Sequence, residues 1–178
     1  MDFPNFTNPE KNVTELGVFD GNIIADLGAG TGAYIEPLAR RVGEKGRVYA
    51  VEVQKEFLTN IKDLATEQGF KNVEVIWGDI ETYGGTKIKD ASVDAVVLSN
   101  VLFQAEDKAG LLVESKRILK EGGRLLLVDW RESFNSLGPS RDMVVTVEAA
   151  RALCDAAGFS LKKEFDAGEH HYGFVMVK

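Results

Sequence analysis

The sequence predicts an α/β fold built on a doubly wound sheet with helices on both faces. Three observations carry this reading. Short apolar runs of strand type alternate with segments of helical periodicity along most of the chain. A glycine-dense turn, Gly28-Ala29-Gly30-Thr31-Gly32, joins the first such run to a helix. The last two strands are separated only by residues 166–171, too short for the dozen or so residues a parallel crossover needs. The final strand therefore runs antiparallel.

The elements follow in order. Residues 8–16 form a short helix, capped by Asn8, with Pro9 at its favoured first position and Gly17 at its end. Asn22 to Leu27 is the first strand, an apolar run stopped by glycines. A helix spans Ala33 to Val42, and Gly43 and Gly46 bound the next turn. Arg47 to Glu52 is the second strand. Gln54 to Gln68 is helical, with Phe57, Leu58, Ile61, Leu64 and Ala65 on one face. Val73 to Trp77 and Val93 to Leu98 are the third and fourth strands. Lys108 to Leu119 is a helix ended by Gly122-Gly123, and Arg124 to Asp129 is the fifth strand. Thr146 caps a helix to Ala157. Phe159 to Phe165 and Tyr172 to Val177 complete the sheet. Residues 131–145 are the one longer irregular connection.

A chain of 178 residues, 44% hydrophobic and 28% charged, fits one domain over 1–178, with residues 1–20 as an N-terminal helical segment and no cap domain. One cysteine, Cys154, excludes an intrachain disulfide, and with two histidines it disfavours a metal site of the Cys/His type. No stretch has the basic start and apolar run of a signal peptide, and none has the apolar length of a membrane span. A cytoplasmic location is expected. The net charge of −7 disfavours nucleic acid as a partner, because phosphate binding rests on lysine and arginine. The pairs Arg40-Arg41 and Lys162-Lys163 read as solvated faces.

The sharpest motif is Asp26-Leu27-Gly28-Ala29-Gly30-Thr31-Gly32. Glycines between a strand and a helix permit positive φ and close approach of a ligand to the backbone. A following helix start offers free N–H groups. Gly28-x-Gly30-x-x-Ala33 also satisfies the dinucleotide fingerprint. Asp26 argues against that alternative. A carboxylate facing the cleft there would repel a pyrophosphate and suit a ligand with an amino group.

This pattern, an acidic residue followed by G-x-G-x-G, resembles the first motif of the class I S-adenosylmethionine-dependent methyltransferases. The likeness extends over essentially the whole chain. It implies a Rossmann-like seven-stranded sheet of order 3-2-1-4-5-7-6, with S-adenosyl-L-methionine as cofactor, S-adenosyl-L-homocysteine as product and no metal. Glu52, 20 residues after Gly32, would then hold the ribose hydroxyls, and Val53 would pack on the adenine. Asp79, in Gly78-Asp79-Ile80, would accept from the adenine amino group, with Ile80 over the ring. Asn100 and Val101 would contact the methionine end. Gly28, Ala29, Gly30 and Gly32 complete the set. The order and spacing are similar to the ubiquinone/menaquinone-biosynthesis branch, which acts on small molecules. Arsenite methyltransferases share this pattern, but their chemistry needs several cysteines.

Methyl transfer from a sulfonium needs alignment first, and a base only when the nucleophile must lose a proton. The base candidates are Asp129, His170 and His171, each with a plain structural reading as a cap or turn residue. Acceptor-pocket candidates are Phe103, Gln104, Trp130 and Arg131, with Phe3, Phe6 and Phe134 as a lid. Without a cap domain the pocket is either small and open or completed by a second copy of the chain. The family's small-molecule branch often carries Asn-x-Leu-His-His after the fourth strand, where this chain has Phe103 and Gln104 in the histidine positions. The Asp/Asn-Pro-Pro-Tyr/Phe tetrapeptide of amide and exocyclic-amine methyltransferases is absent. A cofactor-binding module without activity, and a NAD(P)-dependent oxidoreductase, stand as the alternatives.

Overall fold

A computed structural model describes residues 7–134 and 138–178. In chain order the elements are α1 (Pro9–Leu16), β1 (Ile23–Leu27), α2 (Ile35–Val42), β2 (Arg47–Glu52), α3 (Lys55–Glu67), β3 (Val73–Trp77), β4 (Val93–Ser99), α4 (Lys108–Ile118), β5 (Leu119–Trp130), α5 (Val147–Ala156), β6 (Ser160–Gly168) and β7 (His171–Val177). The sheet order is β3-β2-β1-β4-β5-β7-β6, as the family resemblance implied. Strands β1 to β5 pair in parallel. β7 runs antiparallel to both β5 and β6, with Arg124 opposite Val177 and Trp130 opposite His171.

Both sheet faces are covered, which is why the central strands read as nearly continuous apolar runs. Alternation along each strand sorts the side chains. Ala25, Leu27, Leu125 and Leu127 join Leu111, Leu112 and Ile118 of α4 and Cys154 of α5 in one cluster. Ile24, Val48, Val97, Leu126 and Val128 join Val13 and Leu16 of α1, Ile35 and Leu38 of α2 and Ile61 of α3 in the other.

The helix caps form where local chemistry places them. Asn8 accepts from Lys11 N, Asp107 from Gly110 N and Thr146 from Ala149 N. Most boundaries shift by a residue or two, β6 runs on to Gly168 so that only residues 169 and 170 separate it from β7, and two differences have a clear local cause. α2 begins at Ile35, because Ala33 and Tyr34 belong to the turn, with Ile35 N bonded to Gly32 O. The Gly122-Gly123 pair does not end α4. The helix stops at Ile118, and the glycines lie inside β5, where the β4–β5 register jumps from Val93/Leu119 to Ala95/Arg124. Gly122 has φ +72°, and a Cβ on Gly123 would lie 2.7 Å from Lys120 O. A bulge needs glycine there just as a helix stop does.

The stretch after β3 is tied to α4. The buried Glu114 carboxylate accepts from Gly84 N, from Thr86 N and Oγ1, and from Arg117, which also pairs with Asp90. This staple sets the height of Gly78–Glu81 at the carboxyl end of the sheet. No helix of the described residues is long and apolar enough to cross a membrane.

Candidate functional site

The glycine turn is an αL-rich bend: φ is +72° at Gly28, +52° at Gly30 and +84° at Gly32. Gly28 N and Ala29 N donate to Val51 O, which folds the turn over the end of β2. That contact delivers Glu52 to the loop. Its Oε2 accepts from Gly30 N at 3.0 Å, and its Oε1 accepts from Val53 N and Gln54 N at 2.8 and 3.0 Å. Glu52 is buried, 6% exposed.

A cleft of about 290 Å³ opens beside this arrangement, at the carboxyl ends of β1, β2, β3 and β4. Gly28, Gly30, Glu52, Val53, Gly78, Asp79, Ile80 and Val101 line it, all of them residues named from the sequence. Gln104, expected in the acceptor pocket, lines this same cleft. Gln54, Phe57, Glu81 and Ala105 line it too and were not named for it. Phe57 had been assigned to the apolar face of its helix. It sits one turn into α3, at the end of that helix which faces the cleft.

Asp26, Ala29, Gly32 and Asn100 do not line the cleft. By alternation with Leu27, the Asp26 side chain lies on the α2 side of the sheet, beneath the turn. It is 2% exposed, and its Oδ2 has no hydrogen-bond partner. Burial, and then the nearby Glu52 carboxylate, push its carboxyl up to about 7. Beside it stands the buried Tyr34 hydroxyl, which accepts from Asn12 Nδ2 at 2.9 Å and Ser99 Oγ at 3.2 Å. That hydroxyl joins α1, the glycine turn and β4. No local signal in the sequence marks it. Gly32 packs instead, its α-carbon facing Ile61, Ile35 and Leu64.

Asp79 uses its carboxylate in its own turn. Oδ1 accepts from Glu81 N and Oδ2 from the Thr82 hydroxyl, and these bonds hold it below the ordinary carboxylate range. It lines the cleft while serving this turn. Asn100 adopts φ +57°, donates its N–H to Val128 O and accepts from Gln104 Nε2 at its carbonyl.

The base candidates lie elsewhere. Asp129 is fully buried, its oxygens accepting from Phe103 N at 3.1 Å and Trp130 N at 2.8 Å. His170 Nδ1 lies 2.9 Å from Glu132 Oε1, its ring stacked on Phe134 at 3.9 Å. His171 is buried with its ring 4.2 Å from that of Trp130. None of the three lines the cleft beside the glycine turn. Of the acceptor candidates, Phe103 and Trp130 pack inward and Arg131 is exposed, its N–H bonded to His170 O. Phe3 and Phe6 lie outside the described residues. A wider depression of about 630 Å³, lined in part by Arg40, Gly43, Gln68, Phe70 and Asn72, sits at the opposite end of the sheet. Its Asn72 amide is spent on Ala39 O and Gly43 O, and no buried charge converges on it.

Known proteins resemble this chain in sequence and fold. A family model described as a methyltransferase domain matches residues 19–166. The arsenite methyltransferase of Aquipseudomonas alcaligenes is 34% identical over 116 residues, 63% of this chain and 34% of that protein. The ubiquinone/menaquinone biosynthesis C-methyltransferase UbiE of Teredinibacter turnerae is 31% identical over 130 residues, 72% of this chain and 51% of that protein. This chain thus spans about a third to a half of the length of these relatives. The crystal structure of a SAM-dependent methyltransferase from Aquifex aeolicus superposes with a TM-score of 0.88 at 27% identity, covering 99% of this chain and 94% of that one. With the family model covering most of its length, the chain belongs to the class I S-adenosylmethionine-dependent methyltransferases.

Proposed function

We propose that this chain binds S-adenosylmethionine in the cleft between the glycine turn and Ile80, and directs its methyl group to a small organic acceptor. The observation that carries the reading is the pair of buried carboxylates, Asp26 and Glu52, flanking a glycine turn with positive φ. Asp26, buried beneath the turn, opposes a pyrophosphate and suits a ligand carrying an ammonium and a sulfonium, and Glu52 suits ribose hydroxyls. The ligand fits the donor set: Glu52 takes ribose hydroxyls, Val53 and Ile80 cover the adenine, and the orphaned Asp26 oxygen supplies negative potential under the methionine end. The bound sulfonium would supply an activated methyl, so the protein's task is alignment and exclusion of water.

The acceptor is an organic small molecule in this reading. Thiol chemistry is poorly served, because Cys154 is buried and burial pushes its thiol up to about 12. That separates the chain from the arsenite enzymes it resembles. Nicotinamide chemistry is opposed by Asp26 and not by Glu52, since an acid at the end of the second strand serves the ribose of either cofactor. A second reading, a cofactor-binding module without turnover, draws on the placement of Asp129, His170 and His171 away from the cleft.

Calorimetric titration with S-adenosylmethionine, S-adenosylhomocysteine, NAD and NADP tests the assignment. Binding of the first two and not the last two is expected. Tight NAD(P) binding without S-adenosylmethionine binding would overturn it. Cofactor binding without methyl transfer across a broad acceptor panel selects the second reading.

A further inference from the structure

We infer that Asp129 is the positioning residue of the cofactor cleft: its buried carboxylate holds the turn after β4 at the height that makes Val101, Gln104 and Ala105 a cleft wall. The inference rests on the cofactor reading above and gives Asp129 a role distinct from that of a base.

The geometry runs from β5 to the glycine turn. The Asp129 oxygens accept from Trp130 N on their own strand and from Phe103 N in the turn, and the Leu102 N–H also faces the carboxylate. The turn is wound on Val101, whose carbonyl accepts from Gln104 N and Ala105 N. Leu102 is buried as its anchor. Val101 then wedges under the glycine turn. A Cβ on Gly28 would lie only 2.8 Å from Val101 Cγ2. A shift of the turn therefore moves Val101 against Gly28, and both of these residues line the cleft.

A base needs an oxygen open to the proton it removes. Asp129 is 0% exposed, and its oxygens face backbone N–H groups. Protonation would put a hydroxyl where backbone N–H groups now donate. Around the carboxylate, β7 contributes Tyr172, directly opposite in register, whose hydroxyl donates to Val145 O. α4 contributes Lys108, whose ammonium donates to Ala105 O in the same turn and draws the carboxyl down. Burial acts the other way and leaves the group at about 6, so the clamp weakens as pH falls through that value.

Hydrogen exchange of the full chain, with calorimetry using S-adenosylhomocysteine, tests this. In Asp129→Asn the amides of Leu102 and Phe103 should exchange at least tenfold faster, those of Leu125–Val128 should not change, and the Kd should rise at least tenfold. In the parent, corrected for intrinsic exchange, the same two amides should lose protection between pH 7.5 and pH 5, and the variant should show no further loss. Unchanged exchange and affinity in the variant would overturn the inference. Should the variant fail to fold, the parent decides: equal protection at both pH values overturns it. If the parent binds no S-adenosylhomocysteine, the cofactor reading fails, while the exchange data still report on the clamp.

Discussion

Asp26 and Glu52, at the carboxyl ends of the adjacent strands β1 and β2, are both buried, yet only Glu52 is satisfied. Three backbone N–H groups, of Gly30, Val53 and Gln54, bond to Glu52, whereas Asp26 Oδ2 has no partner. The Glu52 carboxylate also opposes the ionisation of Asp26. A buried carboxyl with an unsatisfied oxygen is retained at a cost to the fold, which is the usual mark of a group kept for a ligand.

The cost at Asp26 has a sign. Its folded pKa is about 7 against an ordinary value of 3.8, so the native state holds a proton that the unfolded chain has released. Stability falls as pH rises from 3.8 to 7, by an amount on the order of 4 kcal/mol at full ionisation. Asp26→Asn should raise Tm at pH 8, leave it nearly unchanged at pH 4, and weaken S-adenosylmethionine binding at least tenfold. A lower Tm at pH 8 would show that the buried charge carries no penalty.

Glu52→Gln and Glu52→Ala separate two roles of one carboxylate. Alanine strips the acceptor from Gly30 N, Val53 N and Gln54 N, so it should destabilise the fold by about 1–3 kcal/mol in urea titration. Either substitution should weaken cofactor binding, with glutamine the milder. Retention of full affinity in Glu52→Ala removes Glu52 from the ligand site.

The two leading glycines of the turn should respond differently to the same change. Gly28→Val and Gly30→Val both place a branched side chain at positive φ, a strain of about 1–3 kcal/mol common to both. Gly28 adds a collision with Val101, whereas a Cβ on Gly30 meets nothing nearer than Gly28 O at 3.8 Å. Gly30→Val should therefore fold and lose the cofactor, and Gly28→Val should have the lower Tm. Equal affinity of Gly30→Val and the parent would place the ligand elsewhere.

The staple at Glu114 predicts a large stability effect far from the glycine turn. Burial would raise its carboxyl, but Arg117, Thr86 and the backbone N–H groups of Gly84 and Thr86 hold it at about 2. Glu114→Ala leaves Arg117 without its buried partner and should cost about 3–5 kcal/mol by chemical denaturation. The contribution is present above the unfolded carboxyl pKa and fades as pH falls toward 2. A loss below 1 kcal/mol would mean that the pair is dispensable.

Much of this was legible because it is local. Asn8-Pro9 and Thr146 cap helices through contacts within one turn, and the short 166–171 connection alone dictated an antiparallel β7. Glu52 was legible from strand position and spacing. Gly122-Gly123 was misread because a bulge and a helix stop ask the same thing of the backbone. Gln54 and Phe57 escaped notice because what places them on the cleft is the packing of α3 against β2 and β3, which leaves no trace in periodicity.

The sequence by itself determined the sheet, its order through the family resemblance, and the acidic and glycine residues that frame the cleft. These depend on apolar alternation, turn chemistry and the reach of a few residues. Only the tertiary structure decided that Asp26 lies sealed beneath the turn and that Asp129 clamps a neighbouring loop. It likewise decided that His170 and His171 face the β5–β7 end. Each of those outcomes depends on desolvation and on hydrogen bonds between segments far apart in the chain, and these exist only once the strands are side by side.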